Sequence, residues 1–202
     1  MSIKKNKKSL KISVIGDSFS ADTTDNSWVS LLAGEYTVQN YSQRGISEYR
    51  IFDIIQNNYK KISNSDYIII FHTLSDRVFI PDHVDYPTRS IQSHPYCDMV
   101  ASDSLNNEKW NDIAKTYYKY FFDSEMQAVF YKLLIEKINA MFSNTSIINC
   151  SGFDNIVKVD SVEIQSFFDI KNKHPGNINH FDKVGNQEVY KYITKLIDNE
   201  NI

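Results

Sequence analysis

Apolar residues along the chain follow two rhythms that take turns. "KISVIG" (11–16) is a short continuous apolar run, the mark of a buried strand. "SWVSLLAGEY" (27–36) sets Trp28, Leu31 and Leu32 at helical spacing. "YTVQNYS" (36–42) alternates and reads as a second strand. "EYRIFDIIQNNYKKI" (48–62) places Ile51, Ile54, Ile55 and Tyr59 on one helical face. "YIIIFH" (67–72) is an apolar run with polar borders, as expected of a strand covered on both faces. Residues 108–142 are helical in pattern, with Trp110, Ile113, Tyr117, Tyr120 and Phe121, and a break near "FDSE" (122–125) divides them into two helices. "TSIINC" (145–150) reads as a fourth strand, and "SVEIQSFFDI" (161–170) fits neither period. "DKVGNQEVYKYITKLIDNE" (182–200) ends the pattern as a helix with Val189, Tyr190, Ile193 and Ile197 inward.

Strands that alternate with helices imply a parallel sheet with helices on both faces. The expected fold is therefore α/β: a flavodoxin-like three-layer α/β/α sandwich around a central parallel sheet of about five strands. The expected organisation is a single domain over 1–202 with a loop-plus-helix insertion at about 73–145. Within it, residues 73–107 lose all period and hold three of the four prolines, Pro81, Pro87 and Pro95. Right-handed crossovers place the C-terminal ends of the strands on one edge, where ligands of such folds bind. Three polar clusters belong to that edge: Gly16-Asp17-Ser18, the segment around Gly45, and His72 to Arg77.

Composition narrows the partners. The formal net charge of −3 over 202 residues gives no reason to expect nucleic acid, and "KKNKK" (4–8) reads as a solvated tail. The apolar stretch after it is about six residues long, short of the ~7–15 of a signal-peptide core. No run reaches the ~18 apolar residues of a membrane span, so the expectation is a cytoplasmic protein without a membrane partner. Cys97 and Cys150 read as free thiols, with Cys150 buried at a strand end. His72, His83, His94 and His174 match no zinc spacing, and neither metal nor cofactor is expected. "YYKYFF" (117–122) reads as core plus a partner surface, with no oligomeric state implied.

The run "ISVIGDSFS" carries the first strand straight into Gly-Asp-Ser. These are turn residues, and a strand end is also a place to present a nucleophile. Together "GDSFS", "NYSQRGIS", "HTLSDR" and "NINHFDKVGN", in this order, resemble the four blocks of the SGNH, or GDSL-like, hydrolases. Trp28 and the spacing from His180 to Gly185-Asn186 fit as well. The combined layout is similar to esterase-like proteins encoded by tailed phages. The resemblance implies Ser18 as nucleophile, His180 as base, and an oxyanion hole from the Ser18 amide, Gly45 and Ser75. Ser75 stands where that family carries asparagine. Asn177 stands where it carries the aspartate that orients the histidine. The implied activity is hydrolysis of a small acyl ester, such as an O-acetyl group on a carbohydrate, through an acyl-serine intermediate.

Elementary chemistry runs parallel to the resemblance. An alcohol needs a base to take its proton, and histidine titrates near working pH. The oxyanion needs donors fixed in advance, each contributing about 10²–10³ in rate. Ser75 has a shorter arm than asparagine, and its hydroxyl accepts as well as donates. Without the aspartate, Asn177 orients His180 through its carbonyl oxygen, Asp169 or Asp182 moves in, or a Ser-His dyad works alone. Asp182 reads first as the N-cap of the last helix. Asp17 reads as a shaper of the turn, and Arg77 as a partner in a surface salt bridge. Two alternatives stay open: an acyltransferase with the same residues, and a non-catalytic binding protein on the same scaffold.

Overall fold

A computed structural model describes residues 7–81, 98–101, 111–154, 157–176 and 180–200. Within them lies a parallel sheet in the order β2-β1-β3-β4-β5, formed by β1 (Lys11–Gly16), β2 (Thr37–Asn40), β3 (Tyr67–His72), β4 (Ser146–Ser151) and β5 (Ile164–Ser166). This is the flavodoxin-like order, in which the reversal of direction after β1 opens a crevice at the C-terminal edge. The helices are α1 (Ser18–Ala21), α2 (Trp28–Glu35), α3 (Glu48–Ile62), α4 (Asn111–Tyr120), α5 (Ser124–Met141), α6 (Phe168–Lys173) and α7 (Lys183–Glu200).

Every residue of β3 is buried, because helices cover both sides of the sheet. Successive side chains of a strand point to opposite faces, and the core divides accordingly. Val14, Ile69, Phe71 and Ile148 pack with Trp28 and Leu32 of α2 and Val189, Ile193 and Ile197 of α7. Ile15, Ile68 and Ile70 pack with Ile51, Ile55 and Ile62 of α3 and Ile138 of α5. The helix starts are written locally. The Ser27 and Ser47 hydroxyls accept from Ser30 and Arg50 N–H, the Asp123 carboxylate accepts from Glu125 and Met126 N–H, and Asp182 Oδ1 accepts from Gly185 N–H at 2.7 Å.

The ambiguous stretch 161–170 resolves into β5 and the start of α6. Tyr59 is a departure from the expected inward face of α3: it is 41% exposed, its ring stacks on Phe142 and its hydroxyl donates to the Met141 carbonyl. It lies near the end of the helix, where the sheet no longer reaches. Tyr190 is half-buried beside the buried Val189, Ile193 and Ile197. Cys150 is buried and free, and burial holds its thiol far above the ordinary range. Trp110, Cys97, His83, His94, Pro87 and Pro95 lie outside the described residues. No described helix is long and apolar enough to cross a membrane.

Candidate active site

The strand ends come into register at one rim. Gly16 pairs with Phe71, and His72 with Ser151. Gly16 must be glycine because a Cβ there would stand 2.5 Å from the Phe71 carbonyl oxygen and 2.6 Å from Ser20 Oγ. The chain then turns at Asp17, which is 1% exposed and whose carboxylate accepts from Phe19 N–H at 3.0 Å. Asp17 is thus the N-cap that shapes the turn, as read from the sequence. Burial pushes its carboxyl up to about 6, against the pull of the Phe19 amide and the Arg77 guanidinium. Ser18 opens α1, half-buried, and its backbone N–H donates to no acceptor among the described residues.

Gly45 lies in the loop from β2 to α3 with φ of 71°, a left-handed conformation that disfavours any side chain. Its carbonyl accepts from Asp98 N–H at 2.8 Å and from Arg77 at 3.1 Å, while its own N–H meets no acceptor among the described residues. Asp98, fully buried, anchors this loop further. Its carboxylate accepts from Ser47 N–H and Ile80 N–H and pairs with Arg50. Arg77 Nη1 thus donates to the backbone carbonyls of Gly45 and Asp98, a contact of a different kind from the surface salt bridge that the sequence suggests. Ser75 is half-buried in the turn that follows β3.

His180 arrives from the other end of the chain. Its ring meets the Phe19 ring edge-on at 5.4 Å between centroids, one residue from Ser18. Two side chains fasten this meeting. Trp28 Nε1 donates to the Phe19 carbonyl at 2.8 Å. Asn186 Oδ1 accepts from Trp28 N–H at 2.9 Å, and its Nδ2 donates to the carbonyls of Phe181 and Asp182. The Ser18 turn and the segment carrying His180 are thereby held to one helix start. No hydrogen bond joins Ser18 Oγ to the His180 ring. Burial depresses the His180 value below the ordinary one, Arg44 adds to this, and Asp22 opposes it.

The acids offered as substitutes for the missing aspartate work elsewhere. Asp182 caps α7, and Asp169 is exposed on α6. Asn177 lies outside the described residues. The carboxylate whose charge favours protonation of His180 is Asp22, which also accepts from Thr24 N–H. Asp22 escaped the sequence reading because it stands four residues past Ser18 in a polar stretch with no pattern of its own.

Beside the Gly45 loop opens a cavity of about 310 Å³. Its walls include Glu48 and Tyr49 at the start of α3, Arg77 and Phe79 after β3, and Phe130 and Tyr131 of α5. Tyr49 packs against Phe79 at 4.7 Å and Phe130 at 6.4 Å between ring centroids. Arg77 lines the cavity and also donates to the Gly45 carbonyl, so the cavity borders the loop after β2. It is an apolar recess with charged groups at its margin, a shape suited to a small organic ligand.

No family model and no curated protein sequence matches the chain. Solved structures do match it over most of its length. The lipase/acylhydrolase from Enterococcus faecalis aligns over 95% of this chain and 96% of its own, at 14% identity and a TM-score of 0.54. A lipase from a goat rumen metagenome aligns over 93% and 97%, at 11% identity and 0.51. A member of the lipolytic G-D-S-L family from Veillonella parvula aligns over 89% and 93%, at 12% identity and 0.46. The chain thus shares an SGNH-type fold with the first two of these, a lipase/acylhydrolase and a lipase, and at these identities the likeness is one of fold. The matched proteins give the phage sub-assignment no support.

Proposed function

We propose that the chain is a serine esterase acting on a small acyl ester. Ser18 Oγ attacks the ester carbonyl while His180 takes the hydroxyl proton. The carbonyl becomes an oxyanion that accepts from the Ser18 and Gly45 amides, with Ser75 as a third donor. The C–O bond to the alcohol then breaks, and His180 returns its proton to the departing oxygen. Water repeats the sequence on the acyl-serine and frees the acid. Asn177 stands where the resemblance puts the orienting acid, and Asp22 supplies negative charge to the histidine. The acyl or alcohol part of the ester occupies the recess between Tyr49, Phe79 and Phe130. An O-acetylated carbohydrate is the substrate class that the family resemblance suggests.

One observation supports this reading most directly. Two backbone N–H groups, those of Ser18 and Gly45, stand without acceptors among the described residues, in the turn after β1 and the loop after neighbouring β2. The first N–H groups of a helix have no partner within it, so the Ser18 N–H is open to an oxyanion.

A fluorophosphonate probe and p-nitrophenyl acetate test the proposal together. The folded wild type should label and hydrolyse. Ser18→Ala should abolish labelling and lower turnover by at least about 10³-fold. A folded wild type that neither labels nor hydrolyses would overturn the esterase reading in favour of a binding protein. Adding an acceptor sugar separates hydrolysis from transfer.

A further inference from the structure

β3 ends in a histidine that the reaction above does not use. His72 is fully buried, on the face of the sheet that carries α3 and α5. Its Nδ1 lies 2.8 Å from Glu48 Oε1, and its Nε2 lies 3.0 Å from Asn149 Oδ1.

A relay of amides decides which ring nitrogens carry protons. The Ile135 carbonyl can only accept, so Asn139 turns its Nδ2 toward it at 2.9 Å. Asn139 Oδ1 is then an acceptor, and Asn149 Nδ2 donates to it at 3.0 Å. That leaves Asn149 Oδ1 facing His72, so Nε2 must donate. On the other side Glu48 is the first residue of α3, where the positive end of the helix favours negative charge. Its second oxygen accepts from Thr73 N–H at 3.4 Å. A carboxylate so placed takes a proton from Nδ1 as well. Both ring nitrogens then donate, and only the imidazolium does that.

We infer that His72 is a buried cation, protonated at neutral pH, and a positioning residue: it ties α3 through Glu48 to β4 through Asn149, and so sets the spacing of the loops that carry Gly45 and Ser75. The neighbouring charges agree. Burial is the largest influence and disfavours the charged ring, yet Glu48 from α3, the Asn149 hydrogen bond and Asp17 from the β1 turn together raise the value above the ordinary one. Tyr131 from α5 donates to the Thr73 carbonyl and stays neutral, since burial holds its phenol far up. Arg77, from the loop after β3, acts on Asp17 and Asp76. Cys150, the neighbour of Asn149 on β4, is kept a neutral thiol by burial. A buried pair of this kind adds little net stability, but loss of one partner strands the other's charge. The folded state holds the ring proton more tightly than the unfolded chain. The stabilisation is therefore complete below about pH 6.5 and is lost as pH rises through the higher folded value.

Correlation of ring ¹⁵N with ¹H in the labelled full-length protein tests the assignment. At about pH 7.5 both His72 nitrogens should carry protons. In Glu48→Gln the Nε2 proton should remain and the Nδ1 proton should be lost. A singly protonated His72 in the wild type, with the proton on either nitrogen, would overturn the inference. Amide exchange reads the positioning. Thr73 N–H should exchange at least about tenfold faster in His72→Asn and in Glu48→Gln, and unchanged exchange in both would overturn that half. Only an effect on turnover rests on the esterase reading. An inactive wild type with a doubly protonated His72 would sink that reading and leave this one standing.

Discussion

Asp17 is buried next to the candidate nucleophile, and its carboxylate serves the turn by accepting from Phe19 N–H. Its second oxygen, Oδ2, is buried, and the Thr73 side chain pulls against the effect of that burial. The folded value of about 6 exceeds the unfolded one of 3.8, so the folded state binds the proton more tightly. Stability from this group is present at low pH and is lost as pH rises through about 6. Asp17→Asn keeps a capping side chain without the charge. Urea unfolding between pH 4 and 8 should show the slope through this window flattened, with the variant more stable at pH 7 by about 1–3 kcal/mol. His180 has the opposite shift. Its depressed value favours the neutral, basic ring, so under the esterase reading kcat/KM should rise to its plateau below the ordinary histidine range. Arg44→Ala removes one cause of the depression and should move that limb to higher pH. The limb separates the two groups, because Arg44 acts on His180 while Arg77 acts on Asp17.

Among the elements, α1 has only four residues and cannot hold itself in place. It is held by what surrounds it: Gly16 allows the close approach to β3, and Trp28 of α2 grips the Phe19 carbonyl. Asn186 of α7 completes the clamp, with one side chain making three buried or half-buried hydrogen bonds to two distant segments. Asn186→Ala strands the Trp28 N–H and the Phe181 carbonyl, at about 1–3 kcal/mol for a buried unsatisfied donor. The variant should remain folded with a lower urea midpoint. Under the esterase reading its kcat should fall more than its KM rises, because the clamp holds the two reacting side chains together and does not touch the ester. Sequence spacing marked Trp28 and Asn186 as belonging to the motif set. Their contact links positions 158 apart and becomes visible only once α2 and α7 share a layer.

For the whole molecule, legibility followed burial. β1 and β3 could be read to the residue because both of their faces are covered, and a covered strand is apolar over most of its length. β5, three residues at the border of the sheet and only half-covered, carries no such mark. The layout of the rim was partly legible: Ser18, Gly45 and His180 lie just after β1, between β2 and α3, and just before α7, in segments that the pattern already placed. The Glu48–His72–Asn149–Asn139 relay was not, because it depends on the register of β3 against β4 and on how far α3 slides along both. The same reasoning separates the two sides of α5. Ile135 is fully buried, and Ile135→Ala should cost about 2–5 kcal/mol in urea unfolding. Leu133 is 57% exposed, and Leu133→Ala should stay within about 0.5 kcal/mol of the wild type.

The sheet stops at two brief borders, four residues of β2 on one side and three of β5 on the other. A foreign strand approaching either one finds too few bare amides and carbonyls to zip along. Templated growth into fibres therefore has almost no seam to start from while the fold is intact, and such growth would first require the sheet to come apart.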